Sequence, residues 1–136
     1  MTLRPIKDYV NATLSLLTTR ERLGQSKFHI YLATEDPTAI QAFEDDMANN
    51  TSTRNLQYEF HSSGPKNPVS DYKMTDLAHA TNGKAGLESL GALLISMEAN
   101  RYVLTLRSSW SLLIDELRKS IVDSRCNNCT TMVNVS

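Results

Sequence analysis

The run Tyr102-Val-Leu-Thr-Leu106 is apolar and β-favouring, and it stops abruptly at Arg107-Ser108-Ser109. A helical pattern follows at once, from Trp110 to about Val122, which buries Leu112, Leu113, Ile114, Leu117 and Ile121 and leaves Asp115, Glu116, Arg118 and Lys119 as a solvated face. A strand, a small-residue turn and a helix whose first N–H groups are free commit this part of the chain to a β–α unit. In an open α/β sheet, such a turn lies at the carboxyl end of a strand and the amino end of a helix, where anions and nucleotides bind. An ordinary β–α turn with a serine N-cap has the same pattern.

The rest of the chain repeats this alternation. Apolar residues at Ile6, Tyr9, Val10, Leu14 and Leu17 predict a helix from Pro5 to about Leu23, with Gly24 suited to its end. Phe28 to Thr34 reads as a strand buried on both faces, which leaves His29 as a core residue. After Glu35-Asp36-Pro37, Thr38 opens a helix running from Ala39 to about Met47, with Glu44, Asp45 and Asp46 near its outer face. Asn55 to Phe60 is a second, half-polar strand. A polar connection from His61 to about Asn82 has the length of a functional or mobile loop. Leu87, Leu90, Leu93, Leu94 and Met97 form the apolar stripe of a helix over Gly86 to Ala99, and Thr130 to Val135 suits a last edge strand. The order implies right-handed crossovers and a mainly parallel sheet. The expectation is a single α/β domain over residues 1–136, Rossmann-like and three-layered.

At 136 residues with 40% apolar and 21% charged side chains, the chain suits one globular core. A net charge of −1 gives no basic surface for nucleic acid. The longest apolar runs fall far short of the ~20 residues of a membrane span, and the start, Met1-Thr-Leu-Arg-Pro-Ile-Lys-Asp8, lacks the apolar core of a signal peptide. Cys126 and Cys129 have no second pair and no neighbouring histidine, so a local disulfide or two thiols are expected rather than zinc. Asn11, Asn49, Asn50, Asn128 and Asn134 each head an N-x-Ser/Thr sequon, which marks glycosylation sites if the chain enters a secretory lumen.

Two predicted strand ends carry polar groups, Glu35-Asp36 and Ser108-Ser109. In a mainly parallel sheet both lie on the same edge, where the carboxylates can accept from ribose hydroxyls or a base N–H, while the serines and helix-start N–H groups hold phosphate oxygens. Alternatively, Asp36 caps its own helix. Trp110 can stack on a ligand or enter the core. His61, His79 and Lys84 are further candidates for contact or solvation. The dinucleotide, P-loop, zincin and serine-hydrolase fingerprints are absent.

His29-Ile-Tyr-Leu-Ala-Thr-Glu-Asp-Pro37 resembles the "YLATDDP" segment of the α-1,6-fucosyltransferase and NodZ-like group. Leu3-Arg-Pro-Ile-Lys-Asp-Tyr9 is similar to the helix entry before that segment. Leu104-Thr-Leu-Arg-Ser-Ser-Trp-Ser-Leu-Leu-Ile-Asp-Glu-Leu-Arg118 resembles the "GTxxSNWxRLIxEL" segment of fucosyltransferase-like proteins, and Leu93-Leu-Ile-Ser-Met-Glu-Ala99 fits the helix before it. The resemblance implies the donor-binding half of a GT-B glycosyltransferase. That half would bind GDP-fucose without a metal or other cofactor, and the complete enzyme would pass fucose to a glycan or protein acceptor in the Golgi lumen. On the matching positions, Glu35, Asp36, Arg107, Ser108, Ser109 and Trp110 would contact the donor, and no catalytic residue is assigned. The family's basic "HVRRTDK"-type segment and its acceptor half are not within these residues. Ser109 stands where the family has Asn, and Arg107 where it has Gly. These departures leave a non-catalytic nucleotide-sugar-binding module as the alternative, and a Rossmann-like interaction domain without a ligand as a third.

Overall fold

The computed structural model describes residues 4–63 and 74–136. Helix α1 (Ile6–Ser15) buries Val10 completely. The single helix expected to Leu23 is instead broken at Thr18, whose extended backbone starts the short α2 (Thr19–Arg22). The break has a local cause: Thr18 and Glu21 form a capping box. The Glu21 N–H donates to Thr18 Oγ1 at 3.2 Å, and the Thr18 N–H donates back to Glu21 Oε1 at 3.4 Å. Gly24 does end the segment, at φ +70°; a Cβ there would collide with the Asn55 carbonyl oxygen, so the position needs glycine on two counts.

Strand β1 (Lys27–Tyr31), helix α3 (Pro37–Asn49) and strand β2 (Gln57–His61) form one parallel β–α–β unit, with Phe28 opposite Tyr58 and Ile30 opposite Phe60. A 3-10 turn over Thr51–Thr53 leads into β2. α1 and α3 pack against each other and against one face of this sheet. Val10, Leu17, Phe28, Ile30, Phe43 and Met47 are the buried centre. Strand β1 alternates buried and exposed, so the expectation of burial on both faces is corrected: its outer face is open, and His29 lies on it, exposed rather than in the core.

After α4 (Met74–Ala80) and α5 (Lys84–Ser96), strand β3 (Arg101–Leu104) leads through a turn into α6 (Ser109–Leu117). The chain continues as a π-helical segment (Arg118–Asp123), a single turn α7 (Ser124–Cys126) and strand β4 (Thr131–Asn134), which pairs parallel with β3. The polar connection predicted after His61 thus contains a helix, and its residues 64–73 lie outside the described part. Tyr102, Leu104 and Ile114 form a second, smaller core, lined by Leu93, Met97, Leu106 and Met132. The terminal edge strand is as expected. The alternation has produced an α/β fold with parallel strands, but, among the described residues, in two separate two-stranded sheets rather than one.

Two helix faces also differ from expectation. In α5 the buried residues are the small Ala85, Ala92 and Ser96, while Leu87 is 73% exposed and Leu90 and Leu94 are exposed with it. In the α6 region Leu112, Leu113 and Ile121 are exposed. Asp115 and Arg118, expected on a solvated face, are buried. Arg118 donates to Asp115 Oδ1 at 2.7 and 3.0 Å, to Asp123 Oδ2 at 2.8 Å and to Thr130 Oγ1 at 2.9 Å, and its guanidinium lies 5.9 Å from the centre of the Tyr102 ring. This network fixes the π-helical segment against the start of β4.

One ion pair ties the two β–α–β units together. Arg101, first residue of β3, donates to both carboxylate oxygens of Glu21 at 2.7 and 2.9 Å and to the Leu16 carbonyl at 2.9 Å. Burial would raise the Glu21 pKa, but hydrogen bonds from Arg101 and Thr18 and the guanidinium charge outweigh it, and the carboxyl is held below its ordinary value. The folded state therefore binds this proton less readily than the unfolded chain. The stability Glu21 contributes is complete above the ordinary carboxylate range and is lost as pH falls through its lowered folded value. Replacing Arg101 with Met leaves a buried carboxylate unpaired and is expected to cost on the order of 3 kcal/mol in urea unfolding at pH 7. The gap to the parent chain should shrink as pH falls, because burial without Arg101 raises the Glu21 pKa and the unpaired carboxyl takes up a proton. A gap that is small at pH 7, or that widens in acid, would contradict this role for the pair.

Candidate functional site

The turn that follows β3 is built by the end of the strand and the start of α6. Ser108 is the N-cap of α6, in an extended conformation, but its side chain makes no capping bond. Nor does any side-chain hydrogen bond or ion pair engage Arg107, Ser108, Ser109 or Trp110 among the described residues; the main chain of Ser108 is used, its N–H donating to Thr105 and its carbonyl accepting from Leu112. Trp110, open to either role in sequence, is 37% exposed and outside the core. Arg107 and Ser109 are exposed and Ser108 is half-buried. A cation, two hydroxyls, an indole and the first N–H groups of a helix thus stand together without internal partners, a combination suited to an anionic ligand carrying a flat ring.

The turn after β1 is different. Asp36 caps α3, with Pro37 as its first residue: Asp36 Oδ1 accepts from the Thr38 N–H at 2.8 Å and from Thr38 Oγ1 at 2.7 Å. The Thr38 hydroxyl and N–H bonds hold the Asp36 carboxyl below its ordinary value. The capping reading of Asp36 is the one realised, and its carboxylate is spent within the turn. Glu35 is half-buried and has no side-chain hydrogen bond or ion pair among the described residues. The two turns follow strands of different sheets, and no hydrogen bond or ion pair joins them among the described residues.

The remaining candidates are distributed. Lys84 begins α5 and pairs with Glu88 at 3.7 Å, a solvated lysine. His79 is exposed on α4. Cys126 and Cys129 form the local disulfide. Asn11, Asn49, Asn128 and Asn134 are exposed, whereas Asn50 is half-buried and its Oδ1 accepts from the Ser52 N–H. Asn134 Oδ1 is also engaged, by the Leu106 N–H at 3.1 Å. A shallow depression lined by Lys27, Thr53, Arg54 and Gln57 lies at the amino end of β1 and β2, the opposite end from the turn after β1. None of the helices described is long and apolar enough to cross a membrane.

One cluster lies outside these expectations. His29, Glu59 and His61 meet on the outer face of the β1–β2 sheet. His29 Nδ1 is 2.9 Å from His61 Nε2, and Lys27 Nζ is 2.6 Å from Glu59 Oε2. Glu59 and His61 fall two apart on one face of β2, and His29 on β1 is the cross-strand partner of Glu59, so only the strand register brings the three together. Compared with known proteins, the chain matches no family, no curated protein and no solved structure.

Loss of the Asp36 carboxylate should unfasten the first turn of α3. Asp36→Ala is expected to lower the Tm by a few degrees, and Asp36→Asn or Asp36→Ser, which keep a capping oxygen, should restore most of it. An Asp36→Ala chain as stable as the parent would show that the cap does not hold the helix start.

Proposed function

We propose that the β3–α6 turn binds the diphosphate of a nucleotide sugar, and that the chain is the donor-binding half of a fucosyltransferase-like GT-B glycosyltransferase that uses GDP-fucose. The observation that carries this reading is the uncommitted set Arg107, Ser108, Ser109 and Trp110 at a helix start. In the other described β–α turn, at Asp36, the capping side chain is consumed by its own helix; here it is left for a ligand. The ordered resemblance of residues 29–37 and 104–118 to fucosyltransferase-like segments supplies the donor's identity.

In this reading the Ser108 and Ser109 hydroxyls and the α6 N–H groups donate to phosphate oxygens, Arg107 supplies the positive charge, and Trp110 offers a face for the guanine. Glu35, the free carboxylate of its pair, is the acceptor for a ribose hydroxyl. In the complete enzyme, an acceptor hydroxyl oxygen on a glycan or protein forms the bond to the fucose anomeric carbon as the bond from that carbon to the β-phosphate oxygen breaks. GDP leaves, and the acceptor proton passes to a base or to water. The contribution of Arg107 is to stabilise the charge that builds on the departing diphosphate. One observation favours the alternative, binding without transfer: no carboxylate or imidazole hydrogen-bonds to or pairs with residues 107–110 among the described residues.

Trp110 is the sole tryptophan, so its fluorescence reports on this turn. Titration with GDP is expected to give a saturable change, weakened about tenfold in the Ser108→Ala/Ser109→Ala double variant, roughly the loss of one charge-assisted hydrogen bond. Unchanged affinity in that variant removes the turn as the phosphate site. Binding of GDP-fucose with no release of GDP in the presence of glycan acceptors selects the non-catalytic alternative.

A further inference from the structure

We propose that His29, His61 and Glu59 form a surface site for a divalent transition-metal ion of the zinc, cobalt or nickel type, independent of the nucleotide turn. The three residues are brought together by register, not by sequence proximity. His29 on β1 is the partner of Glu59 on β2, and His61 lies two residues further along β2 on the same face. All three are exposed, because alternation sends Phe28, Ile30, Tyr58 and Phe60 to the core and their neighbours outward.

The ligand atoms, one from each side chain, all lie within 4.8 Å of one another. His29 Nδ1 and His61 Nε2 face each other at 2.9 Å, with ring centres 5.1 Å apart, and Glu59 Oε1 is 3.9 Å from His61 Nε2. Two imidazole nitrogens each about 2.0–2.1 Å from an ion are roughly 2.9 Å apart at a right angle and about 3.3 Å apart at a tetrahedral one. The observed gap fits the first geometry, and a small rotation of two exposed rings reaches the second. Two neutral imidazoles and one carboxylate suit this class of ion rather than calcium or magnesium, which take oxygen donors. Glu59 Oε2 is held by Lys27 Nζ at 2.6 Å, which leaves Oε1 for the ion.

Without metal, the two rings share one hydrogen-bonded proton between Nδ1 and Nε2. Metal binding needs a lone pair on each, so that proton moves to an outer ring nitrogen, through tautomerisation by solvent, and both bonds to the ion form without oxidation or reduction. Solvent fills the remaining coordination positions. The open face provides the entry path.

The test is calorimetric titration of the tag-free 136-residue chain with Zn2+ alone, with the Cys126–Cys129 disulfide oxidised. One equivalent should bind. His29→Ala and His61→Ala should each weaken binding by at least tenfold, Glu59→Gln by less, and His79→Ala not at all. All four side chains are exposed, and circular dichroism confirms that each variant is folded. Absence of binding at millimolar Zn2+ overturns the proposal, as does unchanged affinity in both histidine variants. So does loss of binding on Cys126→Ser/Cys129→Ser replacement while His29→Ala and His61→Ala bind normally, since that places the ion beside Asp123.

Discussion

The bond between Arg101 and Glu21 links two small β–α–β units. Each unit has its own core, one centred on Val10, Phe43 and Met47 and the other on Tyr102 and Ile114. No strand of one sheet pairs with a strand of the other among the described residues. Two-stranded sheets are marginal alone and need packing against helices. Here α1 supplies it, lying on the first core, abutting β3, and offering the Leu16 carbonyl to the same guanidinium that grips Glu21. Because Arg101 sits at the start of β3 and Glu21 lies shortly before the start of β1, the pair fixes the amino ends of both strands.

That arrangement divides polar groups into those the fold consumes and those it leaves over. Glu21, Asp36, Asp115, Arg118 and Asp123 are consumed by caps and networks. Arg107, Ser108, Ser109, Trp110 and Glu35 are left without side-chain partners among the described residues, and His29, Glu59 and His61 bond chiefly to each other and to Lys27 on an open face. The start of α6 differs from that of α3 in that its Ser108 cap keeps a free hydroxyl, whereas Asp36 bonds to its own helix.

The alternation of elements was legible because strands and helices carry different periods, and four strands and most helix bodies fall where periodicity puts them. The break at Thr18 was equally written, as Thr18-x-x-Glu21, but the apolar spacing through Leu17 masks it. Burial was less legible. His29 looks like a core residue in a run of apolar neighbours, yet strand alternation sends it outward. Asp115 and Arg118 look like a solvated face, yet they complete a network whose other members, Asp123 and Thr130, are distant enough in sequence to escape helical pattern reading. Leu87, Leu90 and Leu94 show the converse, an apolar stripe turned away from the small core it was expected to cover. Of the candidate site, the Ser108 turn was visible as strand–turn–helix chemistry. The His29–Glu59–His61 cluster depends on the register between two strands, and no local pattern contains it.

The central claim is that a nucleotide diphosphate is held at the start of α6, and the most direct test is to map GDP onto the chain by backbone amide NMR. The account predicts that the shifts concentrate in residues 107–111, with a second, smaller set at Glu35 and little change at Lys27, Arg54 and Gln57. Shifts centred on those last three, or spread without focus over the surface, would contradict it.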